Sequence, residues 1–363
     1  MRYRTLGQTG MTVSAVGFGG IKLPKASPEE AARALQRALD LGITFVDTAR
    51  AYNDSEAKIG QALSRRRHEF LLATKTGART AEEAGGDLAT SLRELRTDCV
   101  DLWQLHSVSD ERTYERVMAP GGAYEACVEA REQGKARHIG ISIHRCQATM
   151  RKAISSGLFE TVMLAYSLLD QERVGAEVLP LAQARGVGVI AMKALSGGML
   201  TTPGRDNGPP IPGGDPVVRG ALRYVLADDR VATVIPGMTQ VYEVEENVAT
   251  AELPLPMSEQ ERTEVIELVG SLRRGFRYGQ VCLQCGYCQP CPHGVDIPAI
   301  LRAADMFRNY PENLRRMGLD LFRRVSAGPQ LCQDCGHCEE VCPAALNIRT
   351  LLRETQELFV SAL

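Results

Sequence analysis

Short apolar, β-branched runs alternate along the chain with longer segments whose apolar positions recur every three to four residues. Runs of the first kind fall at 13–19, 43–47, 70–75, 100–106, 136–142, 161–166, 187–193 and 231–236. Helical patterns separate them, among them segments near 87–97 and 122–134. The clearest helix starts at Ser27, an N-cap followed by Pro28 at the first position and Glu30 completing a capping box. Ala31, Ala34, Leu35, Ala38 and Leu39 give it one apolar face, and Gly42 ends it. Eight strands in βα order over roughly 250 residues predict a (β/α)8 TIM barrel. A doubly wound open sheet is the rival, but Gly17-Phe18-Gly19-Gly20 lacks the spacing of a dinucleotide fingerprint. Before the barrel, residues 2–20 read as a hairpin around Gly7-Gln8-Thr9-Gly10 that leads into the first strand.

In such a barrel the C-terminal ends of the strands share one mouth. The second strand ends at Asp47, with Tyr52 in the loop beyond it; the third ends at Lys75 and the fourth at His106. Two loops belong to the same rim. Ser107–Gly122 separates the fourth strand from its helix, and Thr201–Pro216 holds nine Gly or Pro residues among its sixteen. The latter sits where a lid would, or is a surface loop without a role. Glu252-Leu253-Pro254-Leu255-Pro256 reads as an exit linker, followed by a helix capped by Ser258 and Glu261. The expected division is a barrel over 1–256 and a small, mostly helical domain over 257–363.

Composition narrows the function classes. Hydrophobic residues at 44% and charged residues at 24% describe a chain that folds, and a formal net charge of −2 argues against nucleic-acid binding through broad phosphate attraction. No apolar run approaches the roughly 18 residues of a membrane helix. The first residues have no secretory character, and the expected location is the cytoplasm.

Eight of the 11 cysteines lie between Cys282 and Cys342, too tightly spaced for ordinary disulfides, whereas Cys99, Cys127 and Cys146 are scattered singly. The runs are Cys282-x2-Cys285-x2-Cys288-x2-Cys291-Pro and Cys332-x2-Cys335-x2-Cys338-x3-Cys342-Pro. The second is the bacterial ferredoxin spacing for a [4Fe-4S] cluster, and the first is one residue shorter before its last cysteine. The segments after Cys291 and Cys342 repeat each other over twelve residues, to Arg302 and Arg353. Structural zinc is the alternative for paired Cys-x2-Cys motifs, but triple-cysteine runs that end in Cys-Pro favour two iron-sulfur clusters. Arg308, Arg315, Arg316, Arg323 and Arg324, between the runs, suit docking of an acidic ferredoxin or flavodoxin, or simply a solvated helix face.

With these pieces assembled, the chain resembles the aldo-keto reductase family, specifically members with a ferredoxin-like C-terminal domain. The motifs that carry the resemblance are Asp47-Thr48-Ala49-x2-Tyr52 with Ser55-Glu56, Lys75, Asp101-Leu102-x2-Leu105-His106, Gly140-Ile141-Ser142 and Ile235-Pro236-Gly237. The resemblance implies hydride transfer between a nicotinamide and a carbonyl or alcohol. It makes Tyr52 the general acid or base, Lys75 and its partner Asp47 the groups that lower the phenol's pKa, and His106 the group that orients the carbonyl. Taken singly, these four have ordinary structural explanations; together, at successive strand ends, they point to chemistry. The resemblance further implies cofactor contacts at Ser142, Tyr166, Lys193, Pro236, Gly237, Glu246 and Asn247. It departs at Ile143 and Met163, where asparagine and glutamine are usual, and at Gly237 and Glu243, where a 2′-phosphate would meet lysine and arginine. A carboxylate beside a phosphate is repulsive, so NAD(H) is expected over NADP(H). By the same resemblance, Cys282, Cys285, Cys288 and Cys342 hold one cluster and Cys332, Cys335, Cys338 and Cys291 the other. Nicotinamide moves two electrons and each cluster one, and no flavin signature is present to convert between them. The leading expectation is therefore a carbonyl or alcohol oxidoreductase whose clusters meet one-electron carriers. The alternatives are an electron-transfer protein with the barrel as docking platform, and a non-enzymatic, metal-stabilised interaction module.

Overall fold

The computed structural model describes residues 1–108, 110–144, 146–198, 200–201, 211, 214–272, 282, 286–309, 312–342 and 345–360. They divide into two compact units, Met1–Ala194 with Arg219–Met257, and Leu195–Val218 with Ser258–Leu363. Among the described residues no helix is long and apolar enough to cross a membrane.

The first unit opens with an antiparallel hairpin, β1 (Tyr3–Thr5) and β2 (Thr12–Ser14). Parallel strands follow: β3 (Phe18–Gly19), β4 (Phe45–Asp47), β5 (Leu71–Thr76), β6 (Val100–Leu105), β7 (Ala136–Ile143), β8 (Thr161–Ala165), β9 (Gly188–Met192) and β10 (Thr233–Val234). These eight pair in sequence order. The sheet closes where the Gly17 amide donates to Val234 (2.8 Å), Val234 to Ala15 (2.9 Å) and Gly19 to Pro236 (3.0 Å). Closure needs glycine at 19, since a Cβ there would stand 2.7 Å from the Ile235 carbonyl oxygen. The fold is a TIM barrel.

Helices α1 (Pro28–Asp40), α2 (Ser55–Leu63), α3 (Ala81–Leu95), α4 (Glu111–Met118), α5 (Ala123–Glu132), α6 (Gln147–Ser155), α7 (Leu179–Ala184), α8 (Pro216–Leu226) and α9 (Val241–Glu252) connect the strands or follow the last one. In α1 the Ser27 Oγ accepts from the Glu30 amide and the Glu30 carboxylate from the Ser27 amide, and the five apolar positions read from the sequence are all buried.

The run 13–19 holds two strands rather than one. Ser14 Oγ donates to the Val16 carbonyl (2.6 Å), so the chain turns there; β2 stays with the hairpin and only Phe18–Gly19 joins the barrel. The hairpin contributes Leu6, Met11 and Val13 to the same apolar cluster as Phe45, Ala73, Leu102, Met163, Ile190 and Ala232, and so plugs the barrel. One helix starts earlier than expected, and one expected loop holds a helix. The expected helix near 87–97 begins at Ala81, with Thr80 accepting from the Glu83 amide. The loop 107–122 contains α4, capped by Asp110 on the Thr113 amide at 2.7 Å. Most of the expected lid segment, 202–210 and 212–213, lies outside the described residues.

The second unit contains α10 (Glu259–Leu272), α11 (Ile297–Asn309), α12 (Glu312–Arg324), α13 (His337–Glu340) and α14 (Ile348–Val360). The Ser258–Glu261 capping box is present at 2.8 and 3.1 Å. Helices α11 and α12 approach closely at Gly318, where a Cβ would meet the Phe307 amide at 2.6 Å, and Phe322 stacks on Phe359 with ring centroids 4.1 Å apart.

Candidate functional site

Side chains alternate across a strand, and in a closed barrel alternate residues face inward. Phe45, Ala73 and Leu102 face the apolar interior. Two residues further along the same faces stand Asp47, Lys75 and Gln104, and after Gln104 comes His106. The period-2 rule therefore places this polar set on top of the apolar core. The register adds the stagger: Lys75 pairs with Gln104 and Asp47 with Ala73.

Lys75 Nζ donates to Asp47 Oδ2 at 2.6 Å and to the Thr48 carbonyl at 2.7 Å. Both side chains of the pair are at most 2% exposed. Burial pushes the Asp47 carboxyl up and the Lys75 ammonium down, and the attraction between the two opposes both shifts. The same Nζ lies 5.1 Å from the centre of the half-buried Tyr52 ring. The Tyr52 and His106 rings meet edge to face at 5.5 Å. Burial, and then the charges of Lys75, His144, Arg79 and Lys193, hold the His106 imidazole well below its ordinary pKa, so it is neutral at neutral pH. The structure thus brings Asp47, Tyr52, Lys75 and His106 into one cluster at the ends of β4, β5 and β6.

Sequence reasoning missed three neighbours of this cluster. Gln104 Nε2 donates to Asp47 Oδ1 at 3.3 Å, while its own Oε1 is buried without a hydrogen-bond partner. Arg79 donates to the carbonyls of His106 (2.9 Å) and Ser107 (3.2 Å). His144 is buried just after β7. The signal for Gln104 was an amide on the same face of the strand as apolar Leu102, two residues before His106; Arg79, in a loop, gave none.

The residues expected at the cofactor scatter more widely. Ser142 shares the inward face of β7 with Gly140, is fully buried, and its Oγ accepts from the Ser107 amide at 2.8 Å. Lys193 follows β9 in a left-handed conformation (φ 59°). Pro236 and Gly237 form the barrel seam against Gly19, and Glu246 and Asn247 lie on α9. Tyr166 is placed differently. Its amide extends the ladder to Met192, one step out of phase with inward-facing Met163, and the ring is 1% exposed with its hydroxyl donating to Asp228 at 3.0 Å. Arg230 in turn holds both Asp228 oxygens. Glu243 caps α9: its Oε2 accepts from the Thr239 amide at 2.7 Å and the Gln240 amide at 3.1 Å.

The cysteine repeat of the second unit is structural as well as sequential. Gly286 and Gly336 have φ of 80° and 82°, and each carbonyl accepts from the residue three further on at 2.9 Å. Gly294 and Ala345 are both left-handed and donate back to Cys291 and Cys342. Ile297 and Ile348 then donate to Val295 and Leu346 at the start of α11 and α14. Cys291, Cys332, Cys335 and Cys338 line one cavity together with Cys288, His293 and Arg349. Among the described residues no three such side chains converge tightly enough for a single ion; these thiols surround a space instead. Five thiols line the cavity, and a set of four among them suits an iron-sulfur cluster as donors. Cys282, Cys288 and Cys342 pack against the same small apolar core, and Cys285 lies outside the described residues.

Residues 15–267 match the profile of the Aldo/keto reductase family, which is more than half of the chain. The chain belongs to this family. Residues 279–346 match a 4Fe-4S dicluster domain. The family includes a solved relative, aldo-keto reductase AKR11C1 from Bacillus halodurans, at 30% identity and a TM-score of 0.62 over 74% of this chain and 96% of that one. The uncharacterized oxidoreductase YqkF of Bacillus subtilis is 28% identical over 69% of this chain and 91% of its own length. L-galactose dehydrogenase of Arabidopsis thaliana is 28% identical over 73% of this chain and 93% of its own length. The chain is therefore an oxidoreductase of the aldo-keto reductase family that carries an iron-sulfur domain.

Proposed function

We propose that the protein transfers a hydride between a nicotinamide and a small carbonyl or alcohol, with Tyr52 exchanging the proton. The observation that carries this reading is the position of Lys75 Nζ, 2.6 Å from Asp47 and 5.1 Å from the Tyr52 ring centre. An ammonium held beside a phenol favours the phenolate and so makes the proton easier to give up. Asp47, steadied by Gln104, keeps that ammonium charged inside the barrel. Neutral His106 offers the substrate oxygen a hydrogen-bonding nitrogen without competing as an acid.

Protein side chains supply protons but no hydride, so the cluster is half of a redox pair and fits a nicotinamide as the other half. A nicotinamide bound there supplies the two electrons. Ser142, Pro236 and Gly237 are proposed to bound its site, Lys193 to meet its negative charge, and Glu246 and Asn247 to meet its adenosine end. Tyr166, buried and tied to Asp228, serves packing in this reading. NAD(H) is proposed over NADP(H). Glu243 already uses the amides at the start of α9, and its charge repels a further phosphate. In the second unit, Cys332, Cys335, Cys338 and Cys291 are proposed to hold one [4Fe-4S] cluster, and Cys282, Cys285, Cys288 and Cys342 the other. Exposed Arg316, Arg323 and Arg324 on α12 would meet an acidic ferredoxin or flavodoxin.

The test is binding and turnover on anaerobically purified protein. NADH should bind more tightly than NADPH, and Tyr52→Phe should keep that affinity while losing about 10²–10⁴-fold in turnover across a panel of aldehydes and ketones. Full turnover by the Tyr52→Phe protein would remove the phenol from the reaction.

A further inference from the structure

Over their described residues the two halves of the cysteine repeat share their turns but not a charge pattern. From Cys282 to Cys291 there is no charged residue, whereas Asp334, Glu339 and Glu340 lie between Cys332 and Cys342. Gln289, after the third cysteine of the first half, closes its loop with a neutral amide: Nε2 donates to the Val295 carbonyl at 2.9 Å and Oε1 accepts from the Cys291 amide at 3.3 Å. Its counterpart in the second half is Glu339, and there the loop is closed by an arginine. Glu339 accepts from Arg349 through the backbone amide (2.8 Å), Nε (3.0 Å) and Nη2 (2.8 Å). Arg349 also donates through Nη1 to the Asp334 carbonyl at 3.3 Å. The position of Arg349, seven residues after Cys342, is held in the first half by Pro298, seven residues after Cys291.

Arg349 does more than close the loop. It lines the cavity that holds Cys291, Cys332, Cys335 and Cys338, with Cys288 as a fifth thiol in the wall. Its guanidinium carbon would stand 4.0 Å from a Cβ at Gly336, between the second and third cysteines of the run. A cluster that takes up one electron gains one negative charge, and net charge is among the quantities that set cluster potentials. A fixed cation in the wall stabilises the reduced form, and a carboxylate beside it weakens that effect.

We propose that Arg349 raises the reduction potential of the cluster held by Cys291, Cys332, Cys335 and Cys338, and thereby makes the two clusters inequivalent. This rests on the ligand sets proposed above. Arg349 is a positioning and tuning residue: it touches the ligand loop and contributes no bond to iron.

The test is an EPR-monitored redox titration of the full-length, anaerobically purified protein with iron counted in each sample. The native protein should show two one-electron steps. Arg349→Gln should lower one step by about tenfold in electron affinity, about 59 mV for a one-electron couple, and move the other far less. Arg349→Lys, which keeps the charge, should restore most of the difference. Glu339→Gln, which leaves the guanidinium less neutralised, should move the same step upward. Arg349→Gln and Glu339→Gln proteins that keep their iron while both steps stay put, or shift together, would overturn the inference. Should Arg349→Gln lose iron, Glu339→Gln decides alone: an upward step supports the tuning role and an unmoved one ends it. Zinc in place of iron in the native protein would instead refute the ligand-set reading, and the inference with it.

Discussion

The barrel mouth and the cysteine cavity solve opposite problems. At the mouth the charged groups are finished before any ligand arrives: Lys75 and Asp47 are at most 2% exposed and neutralise each other on top of a hydrocarbon core. In the second unit the thiols are part of the core itself. Buried Cys288 and Cys338 share one cluster with Val295, Ile297, Ile300 and Leu352, and Cys282, Cys291, Cys332 and Cys342 pack against it. A barrel can hold a costly ion pair because its strands are anchored by packing elsewhere. A small core with a cavity among its sulfurs depends on what fills the cavity.

The sharpest way to break that comparison is to remove iron. Anaerobic chelation should abolish hydrogen-exchange protection in α11 and α14 while peptides over β4, β5 and β6 exchange as before. Equal protection in α11 and α14 with and without iron would show that hydrocarbon packing carries the second unit too, and the contrast would vanish.

A smaller effect is expected from the mouth. Asp47→Asn leaves Lys75 buried without its carboxylate, and breaking one partner of such a pair costs about 3–5 kcal/mol. The single tryptophan, Trp103, is buried in β6, so its fluorescence during denaturant unfolding reports on the barrel alone. The double variant Asp47→Asn/Lys75→Met should recover much of the lost stability yet remain inactive. A double variant as unstable as the single one would mean that the pair's geometry, rather than the orphaned charge, holds the mouth together.

How much of this was legible in the sequence depended on whether a signal was local. Helix α1 could be read entire, because Ser27, Pro28, Glu30 and its apolar face all act within one element. The four residues of the mouth were legible because each terminates, or follows, an apolar run, and the two-residue period then fixes the face. The break inside 13–19 was hidden, since it depends on the Ser14 hydroxyl bonding two residues ahead while its amide takes the Thr44 hydroxyl, thirty positions away. Helix α4 buries only Tyr114 and Val117, too few positions to show a period. Gln104 looked like any polar strand residue until β6 was laid beside β5. Tyr166 shows the limit of motif matching: the residue type suited a stacking role, but strand phase turns its ring away from the interior. In the second unit the cysteine spacing and the parallel segments after Cys291 and Cys342 announced the repeat, whereas the Arg349–Glu339 bridge spans ten residues and two helices and left no pattern.

The smallest expected effect concerns pH and belongs to the mouth. His106 is buried, and Lys75, His144, Arg79 and Lys193 all disfavour its protonation. Its folded pKa therefore lies below the unfolded value of about 6.5. Between those two values the unfolded chain binds more protons than the folded one, so this group's contribution to stability rises with pH in that window and is complete above about 6.5. As pH falls below that value the contribution is lost, at no more than about 1.4 kcal/mol per pH unit for a single proton. Asp47, whose pKa is raised, contributes with the opposite sign at lower pH, so the quantity to measure is the difference between the native protein and His106→Gln. Denaturation followed by Trp103 fluorescence from pH 7.5 down to 5 should show the native barrel losing stability faster than the variant as the pH drops. Parallel curves would mean that the imidazole protonates as readily inside the barrel as outside it, and the mouth would then be far wetter than its burial implies.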